Sequence, residues 1–459
     1  MTDFSVAGRR VVVVGAARSG IAAALLLQDR GAATVIVSDL RTELPDAARL
    51  RGCGLVLELG PHNPETLRSA DLVVTSPGVP WRLPVLEEAR AAGVEVIGEV
   101  ELAARWLRGR LIAITGTKGK STTTTLVGRM LQAGGIGGGV GGNLGPAASL
   151  QVPNSSEQSV HVVEVSSFQL EATTTFHPWI AVMLNFSLDH LDRHADVAEY
   201  AAAKQRVFAN QGPDDWTVVN LDDPPAMALS EVSRARRAWF GVDRRPEEGV
   251  TIDGDAVCHV AGTSREPLIP LPSIRLIGRH LLADVAAAAA IARLAGVTAE
   301  AMTRAVEGFG GLEHAMELAG EQRGVRFVND SKATNVESAR RAIESIDGGL
   351  VAIMGGRFKG GDLRELREPL ARRARAVVAI GESRERMREA FKDVVEVREA
   401  ASMRDAVRLA FDLAPVGGTV LLAPACASFD MFTDYAERGR VFKQEVERIV
   451  AGRDIPREP

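Results

Sequence analysis

The run Leu111-Ile112-Ala113-Ile114-Thr115-Gly116-Thr117-Lys118-Gly119-Lys120-Ser121-Thr122 gathers residue types that hold phosphate. An apolar strand leads into a glycine turn and then a helix. Gly116 and Gly119 let backbone N–H groups close on phosphate oxygens, and the helix N-terminus adds the positive end of its dipole. Thr117 and Lys118 lie in the turn, Lys120 has the reach for β- and γ-phosphates, the Ser121 hydroxyl suits Mg²⁺, and Thr122 follows in the first turn. A plain strand-to-helix turn with a surface lysine is the bland alternative, and GK(S/T) after a buried strand outweighs it. The general pattern GxxxxGK(S/T) would place glycine at 114, where this chain has Ile114, so the loop is a shortened variant. ATP is the expected nucleotide.

A second glycine turn, Gly15-Ala16-Ala17-Arg18-Ser19-Gly20, follows Val11–Val14, and Asp39 ends the next strand. It resembles a dinucleotide fingerprint whose middle glycine is Ala17. That substitution counts against NAD and leaves another nucleotide diphosphate, or a purely structural turn, as open readings. A third group comprises Glu164, the run Ser166-Ser167-Phe168-Gln169-Leu170, Asn185, Asp189-His190-Leu191-Asp192 and Lys204. Singly these read as caps or surface residues. At strand ends beside a phosphate loop, Glu164 and His190 become candidates for a second Mg²⁺. Lys204 alone reads as a solvated helix lysine. The last group is three polar loops after strands: Asn329 to Asn335, Gly355 to Lys359 and Pro424 to Asp430. Each alone is an Asx or Ser turn capping a helix; together they suggest one substrate pocket.

The elements that must position these residues follow one pattern, a short apolar run, a glycine turn and a stretch with helical spacing, which predicts α/β folds with parallel sheets. It recurs in three blocks. The first has strands at Val11–Val14, Val35–Ser38, Leu72–Thr75 and Val94–Ile97. The second has Leu111–Thr115, His161–Val165, Ile180–Leu184 and Thr217–Asn220, then short strands and turns from Asp243 to Pro272 and a helix after His280. The third has Val325–Val328, Leu350–Met354, Ala376–Ile380 and Thr419–Ala423. Boundaries near 108 and 310 give domains 1–108, 109–310 and 311–459. A chain of 459 residues exceeds what one core supports.

Net charge is -5, so a general nucleic-acid or anionic-membrane surface is not expected. Cys53, Cys258 and Cys426 form no CxxC or CxxH pattern, which fits reduced thiols in a cytoplasm. No apolar run predicts an export signal or a membrane span.

Taken together, the motifs resemble the Mur ligase family over essentially the whole chain. TGTKGKST is that family's shortened phosphate loop, and the run from Asn329 to Asn335 resembles the members that add D-glutamate to UDP-N-acetylmuramoyl-L-alanine. The resemblance implies a Rossmann-like N-terminal domain for the UDP moiety, a central P-loop ATPase domain and a Rossmann-like C-terminal domain that delivers the amino acid. It implies Arg18, Ser19, Gly20, Asp39, Arg41, Ser76, Pro77, Gly78 and Asn143 at the UDP substrate, and Asp284 and Asp330 with the phosphate loop at ATP. Lys332, Thr334, Lys359, Ser428 and Tyr435 would surround the acceptor. Lys120, His190 and Lys204 would be catalytic, with Ser121, Glu164, His190 and a CO₂-carbamylated Lys204 holding two Mg²⁺ ions. A cytoplasmic monomer acting on small molecules is implied as well. Three motifs depart from the family pattern: Leu281 and Asp284 stand where asparagines are usual, Gly311-Leu312-Glu313-His314-Ala315 lacks the usual proline and arginine, and Tyr435 replaces phenylalanine. A ligase using L-glutamate or another acceptor, a non-catalytic nucleotide-binding homologue and an NAD oxidoreductase are the competing readings.

Overall fold

A computed structural model describes residues 4–187, 193–276 and 278–452. The first sheet comprises β1 (Arg10–Val14), β2 (Thr34–Asp39), β3 (Val56–Leu59), β4 (Leu72–Thr75) and β5 (Val96–Gly98), in the order β3-β2-β1-β4-β5, with parallel pairings throughout. The valines of β1 show why it forms. Val11 and Val13 enter one apolar cluster while Val12 and Val14 enter another, so the strand is buried on both faces, as a central parallel strand must be.

The second sheet holds β6 (Arg110–Thr115), β7 (Val140–Gly142), β8 (Val160–Glu164), β9 (Ile180–Met183), β10 (Trp216–Asn220), β11 (Arg236–Gly241), β12 (Glu248–Asp253), β13 (Ala256–Ala261) and β14 (Ser264–Pro270). Its order is β14-β13-β12-β11-β10-β9-β6-β8-β7, and only β12-β13-β14 run antiparallel. The polar stretch expected to be short strands and turns is that antiparallel flank. The third sheet is β15 (Glu317–Gln322), β16 (Val325–Asn329), β17 (Leu350–Gly355), β18 (Ala374–Ile380), β19 (Glu396–Glu399) and β20 (Thr419–Leu422), ordered β15-β16-β20-β17-β18-β19 with β15 alone antiparallel.

The chain divides into two compact units, Met1–Ser273 with Ala283–Val306, and Ile274–Leu282 with Glu307–Pro459. In the first unit, the helix Glu99–Ala104 joins the first two sheets through buried carboxylates. Glu101 accepts the backbone N–H groups of Thr174, Thr175 and Phe176 and an Arg105 Nε–H at 2.9 Å. Glu99 accepts the N–H and hydroxyl of Ser149 at 2.6 and 2.5 Å.

Candidate active site

Because β9, β6, β8 and β7 are parallel neighbours, their carboxyl ends share one edge of the sheet, which is where Gly116, Glu164, Asn143 and Asn185 emerge. The helix Lys120–Ala133 starts there without a side-chain cap. The first-turn N–H groups of a helix have no partner within the helix and are the donors a phosphate accepts from. Gly119, the N-cap, has φ +80°, and a Cβ on it would lie 2.2 Å from Asp284 Oδ1. Any other residue there is strained and must push the Asp284 side chain aside.

Lys120 Nζ donates to the carbonyls of Gly116 at 3.0 Å and Thr117 at 2.9 Å. Lys204 corrects its reading as a solvated lysine. It is 2% exposed, its Nζ donates to the same Gly116 carbonyl at 2.8 Å, and it stands 4.9 Å from the centre of the Tyr200 ring. Two ammonium groups on one carbonyl make this point strongly attractive to an anion. The turn itself is braced by Asn185, whose Oδ1 accepts from Thr117 N and Lys118 N at 3.1 and 2.8 Å while its Nδ2 donates to Lys118 O at 3.1 Å. The Thr117 hydroxyl lies 3.2 Å from the Tyr200 hydroxyl. The sequence singled out Asn185 without a role; Tyr200 carried no signal of its own.

Glu164 is buried at the end of β8 and accepts from Asn143 Nδ2 at 2.6 Å, while its other oxygen, Oε2, is buried without a hydrogen-bond partner. A buried carboxylate oxygen left without a donor is costly unless a cation or donor reaches it, so the residues present fit Mg²⁺. Among the described residues no group of three or more His, Cys, Asp or Glu forms a metal cluster by itself. His190 and its neighbour Asp189 lie outside the described residues. Asp284 is also buried with an unpartnered Oδ2; burial holds its carboxyl well above the usual range, opposed by the Thr123 hydroxyl and the Lys120 charge.

The first sheet reverses its winding between β1 and β4, the place where such folds bind nucleotides. A Cβ on Gly20 would come within 1.8 Å of the Gly15 carbonyl, so these two glycines close the turn, whereas Ala17 has an ordinary extended backbone. Arg18, Ser19 and Gly20 open the next helix, and that helix too lacks a side-chain cap. Ser76 and Val79 pack on Gly15, with Pro77 and Gly78 between them in the chain. Asp39 accepts from Ala16 N at 2.6 Å and from Arg41 Nε at 2.8 Å, and Arg41 reaches the Ala16 carbonyl at 2.9 Å. The Arg41 guanidinium is the main reason the Asp39 carboxyl lies well below its usual range.

In the second unit, β20 lies between β16 and β17, so the three polar loops are adjacent. Arg357 and Ala427 exchange backbone hydrogen bonds at 2.9 and 3.0 Å, pinning the loop of Lys359 to the loop of Ser428, and Ala425 N donates to Ala333 O at 3.0 Å. Lys332 and Lys359 are exposed, Thr334 and Tyr435 are partly or well exposed, and Ser428 is buried. Asp330 accepts from Met316 N at 3.1 Å, and burial raises its carboxyl to about 7 against the pull of Lys332.

Three family models match the chain: the Mur ligase MurD-like N-terminal domain over residues 9–98, the Mur ligase middle domain over 114–292 and the Mur ligase glutamate ligase domain over 316–426. Proteins named UDP-N-acetylmuramoylalanine–D-glutamate ligase are similar over nearly full length. The one from Acidobacterium capsulatum is 45% identical over 96% of both chains, and that from Geobacter metallireducens 42% identical over 98% of this chain and 99% of its own. Among solved structures, the UDP-N-acetylmuramate–alanine ligase of Thermotoga maritima shares the fold with TM-score 0.58 and 19% identity, covering 97% of this chain and all of its own.

Proposed function

This chain belongs to the Mur ligase family, and we propose that it joins D-glutamate to the alanyl carboxylate of UDP-N-acetylmuramoyl-L-alanine, with ATP becoming ADP and phosphate. It is an ATP-dependent acid–amino-acid ligase of peptidoglycan synthesis, and so of cell-wall growth, cell shape and division. The observation that carries the reading is 45% identity to a D-glutamate ligase across 96% of both chains.

Domain 1–108 holds the UDP moiety at Arg18, Ser19, Gly20, Asp39, Arg41 and Ser76 to Gly78; domain 109–310 holds ATP; domain 311–459 presents the amino acid. The alanyl carboxylate attacks the γ-phosphate, forming an acyl phosphate and releasing ADP. The amine of D-glutamate then adds to the acyl carbon, and the tetrahedral intermediate expels phosphate. Gly116 to Thr122 cradle the phosphates, and Lys120 follows the charge moving onto the transferred group. Two Mg²⁺ ions, when bound, neutralise phosphate charge, with Ser121, Glu164, His190 and a carbamylated Lys204 as their holders. The buried, partnerless Glu164 oxygen supports this set. Asn143 orients Glu164. Asp284 and Asp330 serve ATP. Lys332, Thr334, Lys359, Ser428 and Tyr435 receive the acceptor, Lys359 supplying positive charge for a side-chain carboxylate.

A monomer working in the cytoplasm, where ATP and sugar nucleotides are present, completes the proposal; no described helix is long and apolar enough to cross a membrane. The test is phosphate release from ATP with UDP-N-acetylmuramoyl-L-alanine and a panel of amino acids. Release that requires both the sugar nucleotide and D-glutamate supports the reading. Equal or better turnover with L-glutamate overturns the acceptor, and no turnover with any acceptor favours a non-catalytic homologue.

A further inference from the structure

Arg438, in the first turn of the helix Tyr435–Val450, is 1% exposed, and no described carboxylate pairs with it. A guanidinium in that setting carries a large desolvation cost that hydrogen bonds must offset. Burial draws its pKa down to about 10, against the pull of Cys426 and Asp430.

The offsetting bonds all go to the strand-end loops. Nε donates to Ser331 Oγ at 2.9 Å, Nη2 to the Ser331 carbonyl at 2.8 Å and Nη1 to the Cys426 carbonyl at 3.1 Å. Ser331 Oγ in turn donates to the Tyr435 carbonyl at 2.7 Å. Ser331 sits between Asp330 and Lys332, and Cys426 is two residues before Ser428. One planar fork therefore spans the loop after β16 and the loop after β20. The second of these is itself constrained, since Ala425 has φ +56°, a conformation alanine adopts at a cost. Without the fork, two buried carbonyls would lose their donor, and the loop would lose the side-chain bond that adds to its backbone bonds with Ala333 and Arg357.

From this geometry we infer that Arg438 is a positioning residue of the acceptor side: its guanidinium fixes the spacing between the loop of Lys332 and Thr334 and the loop of Ser428, and it touches no substrate. The inference rests on the acceptor role given to those residues in the proposed function. Lysine can keep the charge at this position but not the planar fork that reaches both loops.

The test compares wild type with Arg438→Lys, and with Ser331→Ala, which removes one acceptor of the fork. With ATP and UDP-N-acetylmuramoyl-L-alanine saturating, KM for D-glutamate should rise about tenfold or more in Arg438→Lys, with kcat changed less, because each lost bond to a charged group weakens the acceptor geometry. Ser331→Ala should shift KM in the same direction by a smaller factor. KM for the sugar nucleotide should stay as in wild type. Replacing D-glutamate by hydroxylamine supplies the control: its nitrogen attacks the acyl carbon, phosphate leaves, a proton goes to water, and a hydroxamate forms with no need of the acceptor loops. Hydroxamate formation at the wild-type rate, beside the raised KM, supports the inference. An unchanged KM for D-glutamate in both variants overturns it, whatever happens to melting temperature or kcat. If wild type itself releases no phosphate with sugar nucleotide and D-glutamate, the proposed function falls first and takes this inference with it.

Discussion

At the scale of single residues, the phosphate end of the site turns on two lysines that share the Gly116 carbonyl. Lys120→Ala should lower kcat by about 10²–10³, the usual effect of removing one group that stabilises developing charge, while the fold persists; near-normal steady-state turnover would sink the assignment. Lys204→Ala should be inactive and stay so with added bicarbonate, whereas wild type in CO₂-depleted buffer should lose activity and regain it when bicarbonate returns. Full activity of Lys204→Ala would remove the carbamate from the mechanism. Asp330 gives a pH dependence of stability. Folding raises its pKa from 3.8 to about 7, so the folded state binds this proton more tightly, and the stabilisation is complete below the unfolded value and is lost as pH rises through about 7. Asp330→Asn cannot ionise. In thermal melts of the unliganded protein, the variant should gain on wild type between pH 4 and pH 8, and a constant difference across that range would contradict the assignment.

At the scale of elements, the strand-turn-helix at β6 depends on a glycine whose replacement strains the backbone and crowds Asp284. Gly119→Ala places a methyl 2.2 Å from Asp284 Oδ1 and strains a residue at φ +80°, which costs about 1–3 kcal/mol for the backbone alone. It should raise KM for ATP well above its effect on KM for the sugar nucleotide, as initial-rate kinetics would show. This turn was legible in the sequence because its chemistry is local: strand, glycines, lysine and hydroxyl follow one another. The long apolar strands were legible for a similar reason, each burying residues on both faces. The strands that escaped sequence reading are β3, β7, β11, β15 and β19; all but β11 lie at sheet edges, each carries glycine or charged residues, and only their neighbours make them strands. Asn185, Tyr200 and Arg438 escaped a role because each acts across a long sequence separation, and nothing in the run around them announces the partner. Lys204 on its own reads as solvated for the same reason: its ammonium is buried against the distant Gly116 carbonyl as well as against Tyr200 one turn back in its own helix.

At the scale of the whole molecule, three sheets do not mean three independent cores. The first two sheets belong to one compact unit, and Glu101 is a central reason. Its carboxylate takes up donors from three successive backbone groups of 174–176 together with Arg105, and Arg105 also pairs with Glu95 at 2.6 Å. The hydrogen bonds and the arginine outweigh burial and keep the Glu101 carboxyl below its ordinary value. The C-terminal fold has its own apolar cluster, from Val325 and Phe327 to Phe442 and Ile449. Calorimetry should therefore resolve two transitions, one for the C-terminal fold and one in which the N-terminal and central folds melt together. Glu101→Ala leaves those three backbone donors without their acceptor while Arg105 keeps Glu95, at about 1–3 kcal/mol for each donor left buried and unsatisfied. The joint transition should then move down and split in two while the C-terminal one stays in place. A single joint transition that persists in Glu101→Ala would show that apolar packing along the helix Glu99–Ala104, and not the carboxylate, couples the two folds.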